Sequence, residues 1–140
     1  MEWNRKQQAI ERHDKGFNCA QSVACTYCDL FDVDESAVFR LTESYGLGCG
    51  MMEVCGALTG AFAVVGLNNS SGDVGKGITK QSTYGIIKEM GEKFREKNGS
   101  VVCRELKGIE TKKVLRTCPG CIEDACELLE EYLKENYKGK

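Results

Sequence analysis

Apolar residues recur at helical spacing along most of this chain, and runs in which apolar and polar residues alternate are few. From Asn18 onwards, one helical face is marked by six apolar positions: Ala20, Val23, Ala24, Tyr27, Leu30 and Phe31. The segments from Ile78 to Lys97 and from Cys118 to Lys138 carry comparable apolar stripes. With a single proline in the whole chain, this pattern predicts an all-α fold.

One segment differs from these amphipathic helices because it is apolar on every side. It runs from about Glu53 to Leu67, and four small residues make it narrow: Ala57, Gly60, Ala61 and Ala63. A helix of that kind belongs at the centre of a domain, where other helices approach it closely. We therefore expect residues 1–140 to form a single cysteine-rich domain, a bundle of about five to six helices around this central helix.

Polar residues mark the ends of the helices. A polar first helix is predicted over residues 3–15, and a polar, turn-rich loop over residues 68–77. Asn18 is a good N-cap, so Cys19 falls in the first turn of the second helix. Residues 108–117 form a basic connection that we expect to be exposed.

A short third helix is predicted to end near Tyr45. Asp32 and Glu35 have the spacing of a capping box at its start. Helical periodicity then turns three of its side chains towards the core: Val38, Leu41 and Tyr45.

Composition and charge exclude some classes of protein. The net charge is −2, and no basic stripe with interleaved aromatic residues indicates a nucleic-acid binder. The longest apolar run, from Val54 to Leu67, is too short to span a bilayer, and residues 1–15 lack the apolar stretch of a signal peptide. We expect a cytoplasmic protein that does not insert into membranes.

Nine cysteines are unusual in that setting. Because the cytosol keeps thiols reduced, a cysteine-dense intracellular protein is expected to bind metal or carry out redox chemistry. An odd number of cysteines also fits poorly with a fully paired disulfide framework.

Four of the nine cysteines stand at predicted helix starts. Cys19, Cys55 and Cys118 lie in or just before a first turn, and Cys103 begins a short helical segment. Helix N-termini lower the pKa of a thiol and favour the thiolate, which is both the metal ligand and the nucleophile. We predict that these four cysteines meet at one site. Their separated positions suit either a zinc site or a cluster held between helices.

The remaining cysteines offer alternatives. Cys118 and Cys121 form a C-x-x-C pair at a helix start, as in thiol–disulfide oxidoreductases, but no βαβ context surrounds them. Cys49 flanks the central segment and is a possible alternative ligand. The other three, in mid-helix or on an apolar stripe, are expected to serve packing: Cys25, Cys28 and Cys126.

Several familiar cofactor sites are not supported. No C-x-x-C-H occurs, so covalent haem attachment is not indicated. His13 is the only histidine, so a Rieske centre with two imidazoles is excluded, and its polar helix predicts a solvated surface position. The loop GLGCGM departs from G-x-G-x-x-G at Met51 and follows no predicted strand.

Four ordered motifs resemble the redox-active family labelled C_GCAxxG_C_C, over nearly the whole chain. They are Gly16-Phe17-Asn18-Cys19-Ala20-Gln21, Cys55-Gly56-Ala57-Leu58-Thr59-Gly60, Cys103-Arg104-Glu105-Leu106, and Cys118 six residues before Asp124-Ala125. The resemblance implies that Cys19, Cys55, Cys103 and Cys118 are the family's signature cysteines. The family is similar to the iron–sulfur domain of split-Soret cytochromes c, which implies a 2Fe–2S cluster. This chain adds five cysteines to the signature, and Cys49 or Cys121 could replace a ligand.

Three hypotheses follow. The first is a redox protein or electron carrier, rather than a defined enzyme, in which Cys19, Cys55, Cys103 and Cys118 hold a 2Fe–2S cluster. The second is a metal-free thiol–disulfide redox or sensor protein that uses Cys118 and Cys121. The third is a structural or interaction module stabilised by zinc. The first requires a separate redox partner protein, whose identity the sequence does not give, and the exposed helix faces are compatible with a homodimer.

Overall fold

The computed structural model describes residues 3–139, and these fold into seven α-helices joined by turns and loops. In chain order they are α1 (Lys6–Asp14), α2 (Cys19–Tyr27), α3 (Glu35–Thr42), α4 (Gly56–Asn69), α5 (Lys80–Asn98), α6 (Cys103–Lys107) and α7 (Cys118–Asn136). No β-strand occurs in residues 3–139, where the nearest equivalent is one antiparallel bridge between Val54 and Val102. The predicted all-α fold is confirmed. The helices number seven rather than five or six because the five-residue α6 is a separate helix.

Helix α4 is the central element, as predicted. Its buried residues face several neighbours: α2 makes the most extensive contact with it, and α7 and α5 also pack against it. The helix begins at Gly56 rather than near Glu53, and Cys55 is its N-cap. The late start has a local cause, because the Cys55 N–H donates to the Val101 carbonyl at 2.8 Å and so holds this segment extended.

The caps of α2 and α3 differ in how well the sequence predicts them. Asn18 caps α2 in a complete capping box, with the Gln21 N–H donating to its side-chain oxygen at 2.9 Å. Helix α3 is capped by Asp34, whose carboxylate accepts the Ala37 N–H at 3.1 Å. The predicted box on Asp32 is therefore wrong, because Asp32 is left-handed (φ 57°) and ends the preceding 3-10 turn.

The predicted inner face of α3 is only partly correct. Val38 is buried, but the side chains of Leu41 and Tyr45 are 68% and 40% exposed. For Tyr45 the reason is that the helix stops at Thr42 and a 3-10 turn follows, which changes the rotation per residue. Thr42 takes the buried position instead, and its hydroxyl donates to the Val38 carbonyl at 2.7 Å.

The predicted apolar stripe of α7 is buried against the rest of the bundle. Tyr132 is partly buried beside the core. The other five residues of the stripe are completely buried: Ile122, Ala125, Cys126, Leu129 and Leu133. They belong to one core that extends from Ala9 in α1 to Leu133. Within residues 3–139, no helix combines the length and the apolar character that crossing a bilayer requires.

The contact between α2 and α4 leads to a stability prediction. A Cβ atom at Gly60 would lie 2.5 Å from the Ala20 carbonyl oxygen and 3.0 Å from its Cα, so Gly60→Ala must push the two helices apart. We expect a loss of about 1–3 kcal/mol in the free energy of unfolding, measured by urea denaturation.

Gly66→Ala is the matched control, because Gly66 lies in the same helix and a Cβ there meets nothing within 4 Å. Its higher helix propensity should stabilise the protein by up to about 1 kcal/mol. Equal effects of the two substitutions would contradict a close contact at Gly60.

Candidate functional site

Five cysteines line one cavity of about 200 Å³: Cys19, Cys55, Cys103, Cys118 and Cys121. The structure thus brings together the four cysteines that stand at helix starts and adds Cys121 from the second position of the C-x-x-C pair. A larger cleft between α5 and α7 is lined by no cysteine among the described residues. The cysteine cavity is therefore the candidate functional site.

The starts of four helices converge on this cavity. Cys19, Cys103 and Cys118 are the first residues of α2, α6 and α7, and Cys55 caps α4. Two backbone hydrogen bonds join the α4 and α6 starts, because the Cys55 N–H donates to Val101 and the Cys103 N–H donates to Glu53. Glycine at position 56 lets the start of α2 lie close to the start of α4, because a Cβ at Gly56 would touch the Cys19 Cβ at 3.4 Å.

A left-handed turn closes one side of the cavity. Positive φ angles follow one another from Leu47 to Gly50, and Leu47 lines the cavity. Gly48 is required there, because a Cβ would lie 2.9 Å from the Cys103 Cβ. Cys49 lies in the same turn, but its side chain is exposed and does not line the cavity. The structure therefore places this possible alternative ligand outside the site.

Cys19 and Cys118 form the first thiol pair. A hydrogen bond from Cys19 lowers the pKa of Cys118 to about 5, although burial opposes the shift, and the Lys107 ammonium adds to it. The same interaction, together with burial, raises the pKa of Cys19 far above its ordinary value. The pair thus shares one proton, with the thiolate on Cys118 at the start of α7.

Cys55 and Cys121 form the second pair. Hydrogen bonding with Cys121 lowers the pKa of Cys55 against the effect of burial, and the nearby N–H groups of Ala57 and Leu58 contribute. These amides lie close to the sulfur without forming a full side-chain cap. The pKa of Cys121 is raised by the same pairing and by burial. The interaction within this pair thus favours the thiolate on Cys55 over that on Cys121.

Cys103 is the fifth thiol and remains protonated. Burial raises its pKa, and Lys107 partly opposes that effect. Among residues 3–139, no three His, Cys, Asp or Glu side chains are arranged so that they could hold one metal ion. The interactions that shift the pKa values link Cys19 with Cys118 and Cys55 with Cys121.

Three cysteines lie outside the cavity, as we expect from their predicted packing role. Cys25, Cys28 and Cys126 are almost completely buried in the core. Burial raises the pKa of Cys25 and of Cys126 to about 12 in each case, so both thiols are protonated at neutral pH.

Some residues of the site were missed by sequence reasoning. His13 is half-buried and lines the cavity, so the prediction of a solvated position is wrong. His13 belongs to α1, and the packing of this helix against α2 and α7 brings it to the cavity. Lys107 and Arg116 also line the cavity. The spacing of Lys107, one helical turn after Cys103, was the available signal.

Comparison with protein families gives one match that covers this site. Residues 17–132 match the model of the family described as "Putative redox-active protein (C_GCAxxG_C_C)". The chain belongs to this family. The matched range contains all five cysteines of the cavity. No curated protein and no solved structure matches the chain.

The proton sharing between Cys19 and Cys118 predicts an unusual pH dependence. The thiolate is the reactive form, so alkylation of Cys118 by iodoacetamide should rise through a midpoint near pH 5. In Cys19→Ala the largest cause of the shift is gone, and the midpoint should move upward. The measurement is mass spectrometry of the alkylated peptide, on reduced protein that carries Cys49→Ser to remove the exposed thiol.

Cys25, a buried thiol with a raised pKa, is the internal control and should remain unmodified across the same range. A Cys118 midpoint near pH 9 in the parent protein would contradict the pairing.

Proposed function

We propose that this member of the redox-active family is an electron carrier whose cavity binds a 2Fe–2S cluster through Cys19, Cys55, Cys103 and Cys118. The observation that carries the proposal is the convergence of five thiols from separate helices on one cavity of about 200 Å³. Family membership supports redox chemistry in general, and the cluster is our more specific proposal.

The donor set suits this group. A 2Fe–2S cluster is held by four cysteine thiolates, two on each iron. Cys19 and Cys118 already interact with each other, and we propose that Cys55 and Cys103 would hold the second iron. Cys121, which interacts with Cys55, is a fifth thiol that competes for the same position.

The protein prepares these ligands in two ways. The pKa of Cys118 is about 5, so this ligand carries its negative charge at neutral pH before anything binds. Leu47 and Leu106 line the cavity and limit the access of water to the sulfur atoms. When bound, the cluster would supply one-electron chemistry, and its potential depends on solvent exposure and hydrogen bonding to sulfur.

Protein purified without oxygen should contain about two iron and two sulfide ions per chain. Serine at Cys19, Cys55, Cys103 or Cys118 should lower both contents severely, because each substitution removes one thiolate ligand. Chemical iron and sulfide analysis, with the visible absorption spectrum, measures the outcome.

Cys49→Ser is the matched control and should retain full iron and sulfide, since Cys49 lies outside the cavity. Cys121→Ser tests the fifth thiol and should retain the cluster. Absence of iron and sulfide from the parent protein would rule out the proposed function.

A second candidate is thiol–disulfide exchange, which the low pKa of Cys118 next to a protonated thiol favours. The Cys118 thiolate would attack a substrate disulfide, forming a mixed disulfide and releasing one substrate thiolate. Cys19, after losing its proton, would then attack the Cys118 sulfur, form the Cys19–Cys118 disulfide and release the second thiolate. Two electrons thus pass from the protein to the substrate.

This candidate predicts a specific disulfide in metal-free protein. Mild oxidation should join Cys19 to Cys118, because these two thiols already share a proton, whereas Cys121 is engaged with Cys55. Peptide mapping under non-reducing conditions checks the linkage, and Cys118→Ser should abolish it. A Cys118–Cys121 disulfide would instead support the redox pair expected from the C-x-x-C motif.

A further inference from the structure

The residues that line the cysteine cavity carry positive side-chain charge. Lys107 and Arg116 contribute permanent cations and His13 an imidazole, while no Asp or Glu of the described chain is among the lining residues. The chain as a whole has the opposite balance, with 21 acidic against 19 basic residues. The cationic lining is therefore a local feature of this site.

A buried carboxylate holds Arg116 in place. The Asp124 side chain is 1% exposed, and its two oxygens accept the Arg116 Nε–H at 3.0 Å and an Nη2–H at 3.2 Å. The Lys97 side chain, which is 52% exposed, donates to the same carboxylate at 2.6 Å. A bidentate pair of this kind fixes the plane of the guanidinium as well as its position.

Gly120 provides the space for that guanidinium. A Cβ at this position would lie 2.5 Å from the Arg116 Nε and 2.7 Å from its Cζ. The backbone at Gly120 is helical and makes no demand for glycine. The glycine of the C-P-G-C segment is thus explained by the passage of Arg116 across the first turn of α7.

Lys107 reaches the same cavity from α6. It lies one helical turn after Cys103, so both side chains project from the same face of α6. Its ammonium lies close to Cys118, and this attraction raises the pKa of Lys107 even though burial opposes the charged form. Lys107 and Arg116 therefore both supply cations to the lining of the cavity.

We propose that the cavity selects anionic redox reactants, such as carboxylate-bearing disulfides, and that Asp124 and Gly120 position Arg116 to provide this selectivity. The inference rests on the second candidate function, thiol–disulfide exchange at the cavity thiols. A fixed positive charge raises the local concentration of anions and the rate at which they encounter the site. The effect weakens as salt screens the charges.

The test compares two disulfide probes on the full chain in its reduced, metal-free state with Cys49→Ser. One probe is 5,5′-dithiobis(2-nitrobenzoate), which has two carboxylates, and the other is the neutral 4,4′-dithiodipyridine. With either probe a protein thiolate attacks one sulfur, forms a mixed disulfide and releases the other half as a coloured thiol. The ratio of their second-order rate constants reports charge selectivity, because changes in thiolate reactivity affect both probes.

Arg116→Gln should lower the ratio of anionic to neutral rate constants about five- to tenfold at low ionic strength. Gly120→Ala should lower it as well, although it changes no charge, because the new Cβ displaces the flexible Arg116 side chain. Lys88→Gln is the matched control: it removes one exposed positive charge on α5, away from the cavity, and should leave the ratio unchanged.

Equal ratios in the parent, Arg116→Gln and Lys88→Gln proteins would overturn the proposal. A ratio that falls in Arg116→Gln but not in folded Gly120→Ala would overturn the positioning role of Gly120. If Gly120→Ala does not fold, Arg116→Gln still decides whether the cavity selects anions. Iron plays no part in this assay, so its outcome is separate from that of the cluster analysis.

Discussion

The close approach of α2 and α4 is the constraint on which the site depends. Gly60 lets the Ala20 backbone lie against α4, and Gly56 leaves room for the Cys19 side chain. The thiols at the start of α2 and at the cap of α4 consequently face one cavity. Small residues in the central helix therefore have a chemical consequence as well as a packing role, because larger side chains would separate the two thiols.

The rest of the site is built from helix starts and shared protons. Four segments end or begin at the cavity, and each presents a cysteine where backbone N–H groups and the helix dipole favour negative charge. Burial acts to raise the pKa of every cavity thiol, but hydrogen bonding within each pair lowers the pKa of Cys118 and of Cys55. The Lys107 ammonium also favours the Cys118 thiolate. Packing, hydrogen bonding and electrostatics thus act together on the same few residues.

Much of this arrangement follows from local sequence, and some of it does not. The capping box of Asn18 and the small central helix were predictable because cap chemistry and periodicity depend on near neighbours. Asp34 rather than Asp32 caps α3 because a left-handed residue ends the preceding turn. The position of Cys121 depends on how α7 packs against α4, and that of Arg116 depends on the buried Asp124 carboxylate. Neither contact can be read from the spacing of residues in the sequence.

The proposed redox function depends on the claim that thiols from separate helices form a single redox centre. Diffraction at the iron absorption edge, from crystals grown without oxygen, tests that claim most directly. We predict anomalous peaks from two irons inside the cavity, within bonding distance of Cys19, Cys55, Cys103 and Cys118. Iron bound elsewhere, or no iron together with cysteines that lie far apart, would contradict it.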